Sequence, residues 1–309
     1  MAILTQKGLY EEIIDTLNSI FGAHPGYRPV HAKGIVCEAV FQSSPEARSL
    51  TRAPHMQGET VPVIVRFSDF SGVPSVRDGD PMASPRGMAI RFQLRDGSHT
   101  DIVAHSYNGF PARDAQEFLA FVRALASSGP EAQKPSPLDR FLAEHPAAKR
   151  FVEDPKPPPE SFATEAYFAG DSFRFTNREG RSRFGRYRIL PAAGEKHLDA
   201  SEAAKRWDNY LFEELQERMI QQSPEFRLAV QLAAEGDPIE DPTQIWPESR
   251  EQAGLGRIIV KRRLPDSDTF QRTMAFDPAA LPDGIEPGDP LIEVRSAVYA
   301  IALQRRHPS

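Results

Sequence analysis

Three short segments set the fold class of this chain: VPVIVRFSDF at 61–70, GMAIRFQL at 87–94 and TDIVAHSY at 100–107. Each is apolar or alternates apolar and polar residues, and clusters of Pro, Gly, Asp and Ser separate them, which is typical of β-strands. HAKGIVCEAVF at 31–41 has the same character. Residues 31–107 therefore contain four predicted strands.

Strand patterns return in the second half of the chain. SFRFTN and RSRFGRYRIL are joined at residues 177–180 by a four-residue loop that suits a hairpin, and GRIIVKRRL at 256–264 predicts a further strand. Helical spacing of apolar residues is confined to separate blocks. These blocks are residues 9–20, 114–125, 202–219 with Trp207 on the inner face, and a short helix over 225–234.

Strands and helical blocks do not alternate as regular βαβ units, which favours an antiparallel sheet or barrel with helices packed outside it. The pattern predicts an α+β fold in which a closed antiparallel β-barrel of about eight strands is surrounded by helices. The segment EDPKPPPE at 153–160 is the strongest break in the chain and a possible boundary. We predict a single domain over residues 1–309.

Composition excludes several classes of function. The chain has 309 residues, 40% of them hydrophobic, and a net charge of −6, so it has no general attraction for nucleic acid or an anionic membrane. No segment approaches the ~20 apolar residues of a membrane span, and the N-terminus differs from a signal peptide. The single cysteine, Cys37, fits a reducing compartment. We therefore expect a cytoplasmic protein without nucleic-acid or membrane partners.

The segment RSAVYAIALQRR at 295–306 places Arg295, Tyr299 and Arg306 at steps of four and seven residues. On a helix these side chains form one stripe. Guanidinium groups near a phenol favour its ionised form, and a phenolate suits ferric iron as a ligand. The same spacing also fits an ordinary amphipathic helix with a basic end that complements its dipole.

His31 lies in RPVHAKG, just before the first predicted strand. A neutral imidazole there could move protons near neutral pH, although a lone histidine is more often a surface or core residue. Arg66 and Ser68 share one face of the next strand, because side chains alternate along a strand. One could bind an anion, and the other could hydrogen-bond to His31.

These segments resemble the haem catalases in order and context, over roughly residues 25–308. RPVHAKG resembles the distal-histidine motif of that family, and MAFDPAALPDGIEPGDPLIEVRSAVYA resembles its proximal-tyrosine motif. Other segments resemble the strands and turns between them: VPVIVRFSDFSG, SPRGMAIRFQLRDGSHTDIV, DSFRFTNREGRSRFGRYRILP and DPTQIWPE.

The resemblance implies a role for each matching residue. Tyr299 would be the proximal iron ligand, as tyrosine is in catalases, and Arg295 its charge partner. His31 would be the distal acid–base residue, with Ser68 as its hydrogen-bond partner. Six further residues would contact the haem: Arg28, Arg66 and Arg306 at the propionates, Val30 in the channel above the iron, Phe110 in the distal wall and Phe118 stacked on the porphyrin.

The chain also departs from the family pattern. An ungapped alignment places His105 where typical catalases have a distal asparagine, and a local shift would bring Ser106 or Asn108 there instead. Thirty residues precede His31 and ten follow Tyr299, whereas typical catalases carry a long N-terminal arm and a C-terminal helical region. We therefore expect no bound NADPH, no thread-linked tetramer, a more accessible haem, and a monomer or small homo-oligomer.

This combination resembles the small catalase-related peroxidases of bacteria. It implies a peroxidase that uses haem b (iron protoporphyrin IX), reduces hydrogen peroxide and organic hydroperoxides with an organic electron donor, and has weak catalase activity. Two alternatives remain. One is a fatty-acid hydroperoxide isomerase or dehydratase on the same scaffold, and the other is a non-catalytic haem-binding barrel.

Overall fold

A computed structural model describes residues 5–306 of the chain, and in this range ten antiparallel strands form one sheet. The strands are β1 (Gly34–Ser43), β2 (Thr60–Ser68), β3 (Gly87–Gln93), β4 (His99–His105), β5 (Tyr167–Phe168), β6 (Phe173–Thr176), β7 (Ser182–Pro191), β8 (Glu225–Leu232), β9 (Gln252–Arg263) and β10 (Ile285–Pro287). The strands predicted from the sequence are all present, with small differences at their ends.

The sheet closes into a barrel because β8 pairs with both β9 and β7. The ring of eight strands runs β1-β2-β3-β4-β5-β7-β8-β9, and β6 and β10 extend the sheet from the remaining part of β7. The predicted closed antiparallel β-barrel of eight strands with helices around it is thus confirmed. Closure satisfies the backbone groups that an open sheet would leave unpaired at its edges.

Helices surround this barrel. Those of residues 5–306 are α1 (Gln6–Phe21), α2 (Ala47–Leu50), α3 (Ala115–Ala126), α4 (Pro137–Glu144), α5 (Pro146–Glu153), α6 (Ala200–Ala203), α7 (Tyr210–Gln221), α8 (Ser267–Thr273) and α9 (Leu291–Arg306). Helix α3 begins where the Asp114 carboxylate accepts a hydrogen bond from the amide of Glu117. None of these helices is long and apolar enough to cross a membrane.

Two apolar clusters hold the fold together. The first fills the barrel with inward-facing side chains such as Phe41, Phe67 and Phe226. The second joins α1 and α3, where Leu9 and Ile13 pack with Leu119, and the apolar side of α9 lies against it. A layer of three helices therefore covers one side of the barrel wall.

Two sequence predictions in the second half of the chain are wrong. Residues predicted as a helix over 225–234 form β8, in which Phe226, Leu228 and Val230 are all buried at alternate positions. The buried residues alternate with a period of two, and paired strands lie on both sides of β8. These two features outweigh the helical spacing of the apolar residues. The residues predicted as one helix over 202–219 form two separate helices, since α6 ends at Ala203 and α7 begins only at Tyr210. Trp207 lies between them and is 79% exposed.

The pairing of β2, β3 and β4 aligns three residues in one row. Ser68 pairs with Gly87, and Gly87 pairs with His105. Directly paired residues point to the same face of a sheet, so Ser68 and His105 lie on one face with a glycine between them. The single domain over residues 1–309, and the possible boundary at 153–160, stay predictions.

Candidate active site

A cavity of about 1630 Å³, including open space, lies between the barrel wall and the layer of α1, α3 and α9. The barrel supplies strand residues from β2, β3 and β4, and the helices supply mainly apolar side chains. The predicted site residues that line it are Arg28, Val30, His31, Arg66, Ser68, Phe110, Phe118, Arg295, Tyr299 and Arg306.

His31 is held at the cavity by backbone contacts. Its φ is 55°, in the left-handed region, and its amide donates to the carbonyl of Phe70 at 2.7 Å. The guanidinium of Arg66 donates to the carbonyl of His31 at 2.8 Å. These contacts bring the imidazole Nδ1 to 3.0 Å from Ser68 Oγ, so the predicted hydrogen-bonded pair is present.

The imidazole of His31 stays neutral at physiological pH. Burial, followed by the positive charge of Arg66 and the nearby His105, lowers the pKa of His31 to about 3. A neutral imidazole has one nitrogen that can accept a proton and one that donates. Since Nδ1 is engaged with Ser68, the remaining Nε2 is the atom available to a substrate in the cavity.

Gly87 makes room for this pair, and sequence reasoning missed it. A Cβ at this position would lie 2.5 Å from Ser68 Oγ and 2.8 Å from His31 Nδ1, closer than real contacts allow. A side chain at this row would therefore force the Ser68 hydroxyl or the His31 imidazole to move. A glycine inside a strand pattern is a signal of close approach, and this one could have been noticed.

Tyr299 and Arg295 lie one turn apart on α9, at the cavity. Arg295 Nε donates to the Tyr299 hydroxyl oxygen at 3.2 Å and also forms a buried ion pair with Asp171. Burial by itself lowers the pKa of Arg295, but the Asp171 carboxylate and then Tyr299 raise it above its ordinary value. Arg295 is thus a permanent cation beside the phenol. Its partner Asp171, 124 residues away in the chain, has no sequence signal.

Arg28, Arg66 and Arg306 meet at another part of the cavity. Within residues 5–306 their hydrogen bonds go only to uncharged acceptors, chiefly main-chain carbonyls such as that of Met274 and the side-chain oxygen of Gln271. Burial lowers the pKa of Arg66 to about 9 and that of Arg306 to about 10. Buried cations without a counter-ion are costly, so this cluster favours binding of an anion.

Two predicted aromatic residues line the same space. The rings of Phe110 and Phe118 stack with centroids 5.6 Å apart and planes 21° apart. Val30 precedes His31 in the cavity wall. Together they give a flat apolar group a matching surface.

The structure also distinguishes His105, Ser106 and Asn108, the three residues that the sequence left as alternatives for the position of the distal asparagine. His105 lines the cavity. The Ser106 hydroxyl accepts from the amide of Arg86 at 2.9 Å, and Asn108 donates to Glu248 at 3.3 Å. Neither Ser106 nor Asn108 is among the lining residues. His105 is therefore the polar group that occupies this part of the wall.

These side chains fit haem. A flat apolar ring system with two carboxylates requires an apolar slot, cations at one edge and, for its iron, an anionic or nitrogen ligand. The stacked phenylalanines, the arginine cluster and Tyr299 beside Arg295 meet these needs. The cavity is thus suited to a haem protein of the β-barrel class.

Comparison with known proteins agrees with this class. The chain belongs to the catalase family, which it matches over residues 14–308, and membership implies haem. It is 33% identical over 300 residues to a catalase-related peroxidase of Mycolicibacterium paratuberculosis, covering 96% of this chain and 94% of the relative. It is 29% identical over 302 residues to a catalase-related peroxidase of Synechococcus elongatus, covering 96% and 88%.

Solved structures show the same fold. A fungal catalase superposes with a TM-score of 0.82 at 21% identity, and catalase A of Saccharomyces cerevisiae with 0.81 at 20%. The alignments cover 96% of this chain but 63% and 64% of those chains. The protein thus spans a little under two thirds of the length of these catalases.

Proposed function

We propose that the protein is a haem b peroxidase that reduces hydrogen peroxide and organic hydroperoxides with an organic electron donor, and that releases little oxygen. The observation that carries this proposal is the presence in one cavity of the His31–Ser68 pair and the Tyr299–Arg295 pair. The two catalase-related peroxidases that cover most of the chain support it.

The proposed binding of the cofactor uses charges already in place. Tyr299 would be the iron ligand, and Arg295 donates a hydrogen bond to its oxygen. The arginine cluster would take the propionates, which supply the missing counter-ions. When bound, haem would supply the redox-active iron at which the O–O bond is cleaved.

His31 would move the proton. To accept it at Nε2, the ring must carry its own hydrogen on Nδ1 and donate it to Ser68 Oγ, 3.0 Å away. Nε2 would take the proton of the hydroperoxide and return it to the departing oxygen, which leaves as water or alcohol. Over one cycle the hydroperoxide gains two electrons and two protons from the donor, giving alcohol, water and oxidised donor.

A second cavity beside the first supports larger substrates. This cavity, of about 800 Å³ including open space, shares Phe70, Phe121 and Phe151 with the first. Its lining is mostly apolar, with Asp154 and Lys156 as its charged residues. Apolar space of this kind beside the first cavity suits an organic hydroperoxide as well as hydrogen peroxide.

An absorption spectrum of the purified protein tests the proposal, recorded before and after addition of hydrogen peroxide or tert-butyl hydroperoxide while oxygen is followed. We expect a ferric haem band that changes with peroxide and returns faster with an organic donor, with little oxygen released. The absence of a haem band after haem supplementation would refute the cofactor and the roles built on it.

The same assay separates the competing activities. Vigorous oxygen release would identify a catalase. Hydroperoxide consumption that does not depend on a donor and releases no oxygen would identify an isomerase or dehydratase. A haem band that does not respond to peroxide would identify a non-catalytic haem-binding protein.

A further inference from the structure

A buried carboxylate lies at the entry to β5, outside the lining of the candidate active site. Glu165 is 5% exposed, and the amide of Ala166 donates to its Oε1 at 3.0 Å. Among residues 5–306, no hydrogen-bond donor contacts its Oε2, and no lysine or arginine forms an ion pair with it. Burying an ionised carboxylate without a cation is costly, so this position favours binding of a cation.

Two further side chains approach this carboxylate from the segment between β7 and α6. His197 Nε2 lies 3.4 Å from Glu165 Oε1, and an oxygen of the Glu195 carboxylate lies within 4.8 Å of a ligating atom of each. Within residues 5–306, no other group of three His, Cys, Asp or Glu residues comes this close together. One nitrogen and two carboxylate oxygens therefore converge on one small region.

Backbone hydrogen bonds hold the two segments side by side. The amide of Lys196 donates to the carbonyl of Thr164 at 3.1 Å, and His197 pairs with Pro159 as an isolated antiparallel bridge. Thr164 precedes Glu165 and Lys196 precedes His197, so the bond between the first members of these two pairs sets the spacing of the second members. The fold itself thus brings the ligands together.

The distance between the two ligating atoms fits a metal ion better than a simple ion pair. A hydrogen bond between a charged imidazole and a carboxylate is about 2.7–2.9 Å long. His197 Nε2 and Glu165 Oε1 are 3.4 Å apart. Two ligands of a tetrahedral Zn²⁺, each about 2.1 Å from the ion, are about 3.4 Å from one another. With a neutral imidazole, the three ligands carry two negative charges, which one divalent cation balances.

The chain also contains a similar pair that lacks these features. His145 Nε2 lies 3.5 Å from Glu117 Oε1, and the side chains of His145 and His197 are each 28% exposed. At Glu117, however, Arg113 Nε lies 3.6 Å from the carboxylate, and the Arg113 amide donates to it at 2.8 Å. This pair already has a cation and, within residues 5–306, no third ligand. It is therefore a control for binding to exposed histidines.

We propose that Glu165, Glu195 and His197 form a Zn²⁺ site whose remaining position is filled by water. Imidazole and carboxylate ligands together suit Zn²⁺, whereas Ca²⁺ takes oxygen ligands alone. The ion links the segment that enters β5 to the segment that leaves β7. Strand β5 has two residues and pairs with β4 through a single residue pair. The bound ion therefore stabilises the barrel where its ring of strands has the fewest pairings.

Isothermal titration calorimetry with ZnCl₂ tests this site on the haem-loaded protein, prepared without an affinity tag and freed of labile metal ions by a chelator. We expect one Zn²⁺ bound per chain and a higher Tm with Zn²⁺, because a ligand that binds the folded state stabilises it. His197→Gln and Glu195→Gln should each weaken binding at least about tenfold, since even groups that only orient a metal ligand contribute about ten- to a hundredfold. His145→Gln should match the wild type, and CaCl₂ should not raise the Tm.

A wild-type protein without saturable Zn²⁺ binding would overturn the proposal, and so would wild-type affinity in His197→Gln. Equal losses in His145→Gln and His197→Gln would also overturn it, because binding would then belong to exposed histidines in general. An equal rise of the Tm with CaCl₂ would replace the zinc site by an unselective acidic one. Glu195 and His197 lie at the surface, and circular dichroism with the haem-to-protein ratio establishes that their variants are folded. None of these readouts depends on peroxidase activity.

Discussion

At the scale of single residues, the conformation of His31 depends on its surroundings. A positive φ costs of the order of 1–3 kcal/mol in a non-glycine residue. The amide of His31 bonds to Phe70, and the amide of Ala32 bonds to Ser71 at 3.0 Å, so one loop holds both residues. The strained backbone aims the imidazole at Ser68 instead of at solvent. Such a cost is common where a side chain must be positioned for chemistry.

Replacing His31 by alanine should remove proton transfer and leave the cofactor site intact. We expect His31→Ala to retain haem and to cleave peroxide about 10²–10⁴-fold more slowly, since this is the contribution of one positioned acid–base group. Stopped-flow absorption after peroxide mixing measures the rate. A variant that reacts as fast as the wild type would remove His31 from the proposed mechanism.

Gly87→Ala should disrupt the same pair without touching either member. The new Cβ would lie 2.5 Å from Ser68 Oγ, so the hydroxyl or the imidazole must move. We expect at least a tenfold lower rate of peroxide cleavage, because misplacement by about 1 Å has effects of this size. Gly254→Ala in β9 is the control, since its Cβ would meet nothing within 4 Å. Equal rates in both variants would show that the pair tolerates displacement.

At the scale of elements, the single helix α9 carries three side chains that have different proposed roles. Arg295, Tyr299 and Arg306 all reach the cavity, and the ion pair with Asp171 fastens the helix to the segment before β6. Arg295 also lies near the carbonyl of Val103 in β4, at 3.5 Å. The helix is therefore aligned with the barrel by the same guanidinium that contacts the phenol.

Tyr299→Phe should loosen or abolish haem binding, because it removes the only oxygen that the side chain offers to iron. Tyr210→Phe is the control: the Tyr210 hydroxyl also makes one hydrogen bond, to the carbonyl of Pro159 at 2.8 Å, but Tyr210 lies outside the cavity lining. Haem content and the absorption spectrum are the measurements. Full haem content with an unaltered spectrum in Tyr299→Phe would refute tyrosinate ligation.

At the scale of the whole molecule, stability depends on histidines that are buried in neutral form. His55 is 2% exposed inside the barrel, its ring lies 4.8 Å from that of Phe92, and burial lowers its pKa to about 3. Between about pH 6.5 and pH 3 the unfolded chain binds a proton that the folded protein does not. Each such histidine therefore makes stability fall as the pH falls.

His55→Phe isolates this effect at a position away from the cavity. When the pH is lowered from 6.5 to 5, the unfolding free energy of the variant should fall by about 2 kcal/mol less than that of the wild type. One pKa unit corresponds to about 1.4 kcal/mol. His31 and His105 stay in both proteins, so their contributions cancel. Urea unfolding at several pH values measures the difference. Parallel pH profiles would mean that His55 is protonated in the folded protein.

Local patterns were sufficient for much of this molecule. The alternation in VPVIVRFSDF and the four- and seven-residue steps of Arg295, Tyr299 and Arg306 predicted a strand and a helix that the structure contains. These patterns are reliable because the period of a helix or strand is a local property of the backbone. The same reasoning failed at 225–234, where the strand β8 is stabilised by paired residues of β7 and β9 that lie 21 to 47 residues away in the chain.

Contacts between residues that are far apart in the sequence were determined by the tertiary structure alone. Nothing in the sequence joins Asp171 to Arg295, Gln271 to Arg66, or Gly87 to His31, since these contacts depend on barrel closure and strand register. The choice of His105 over Ser106 and Asn108 was also settled there. A shift of register by one residue turns every side chain to the other face, so only the folded sheet determines which of these three nearby polar residues faces the cavity.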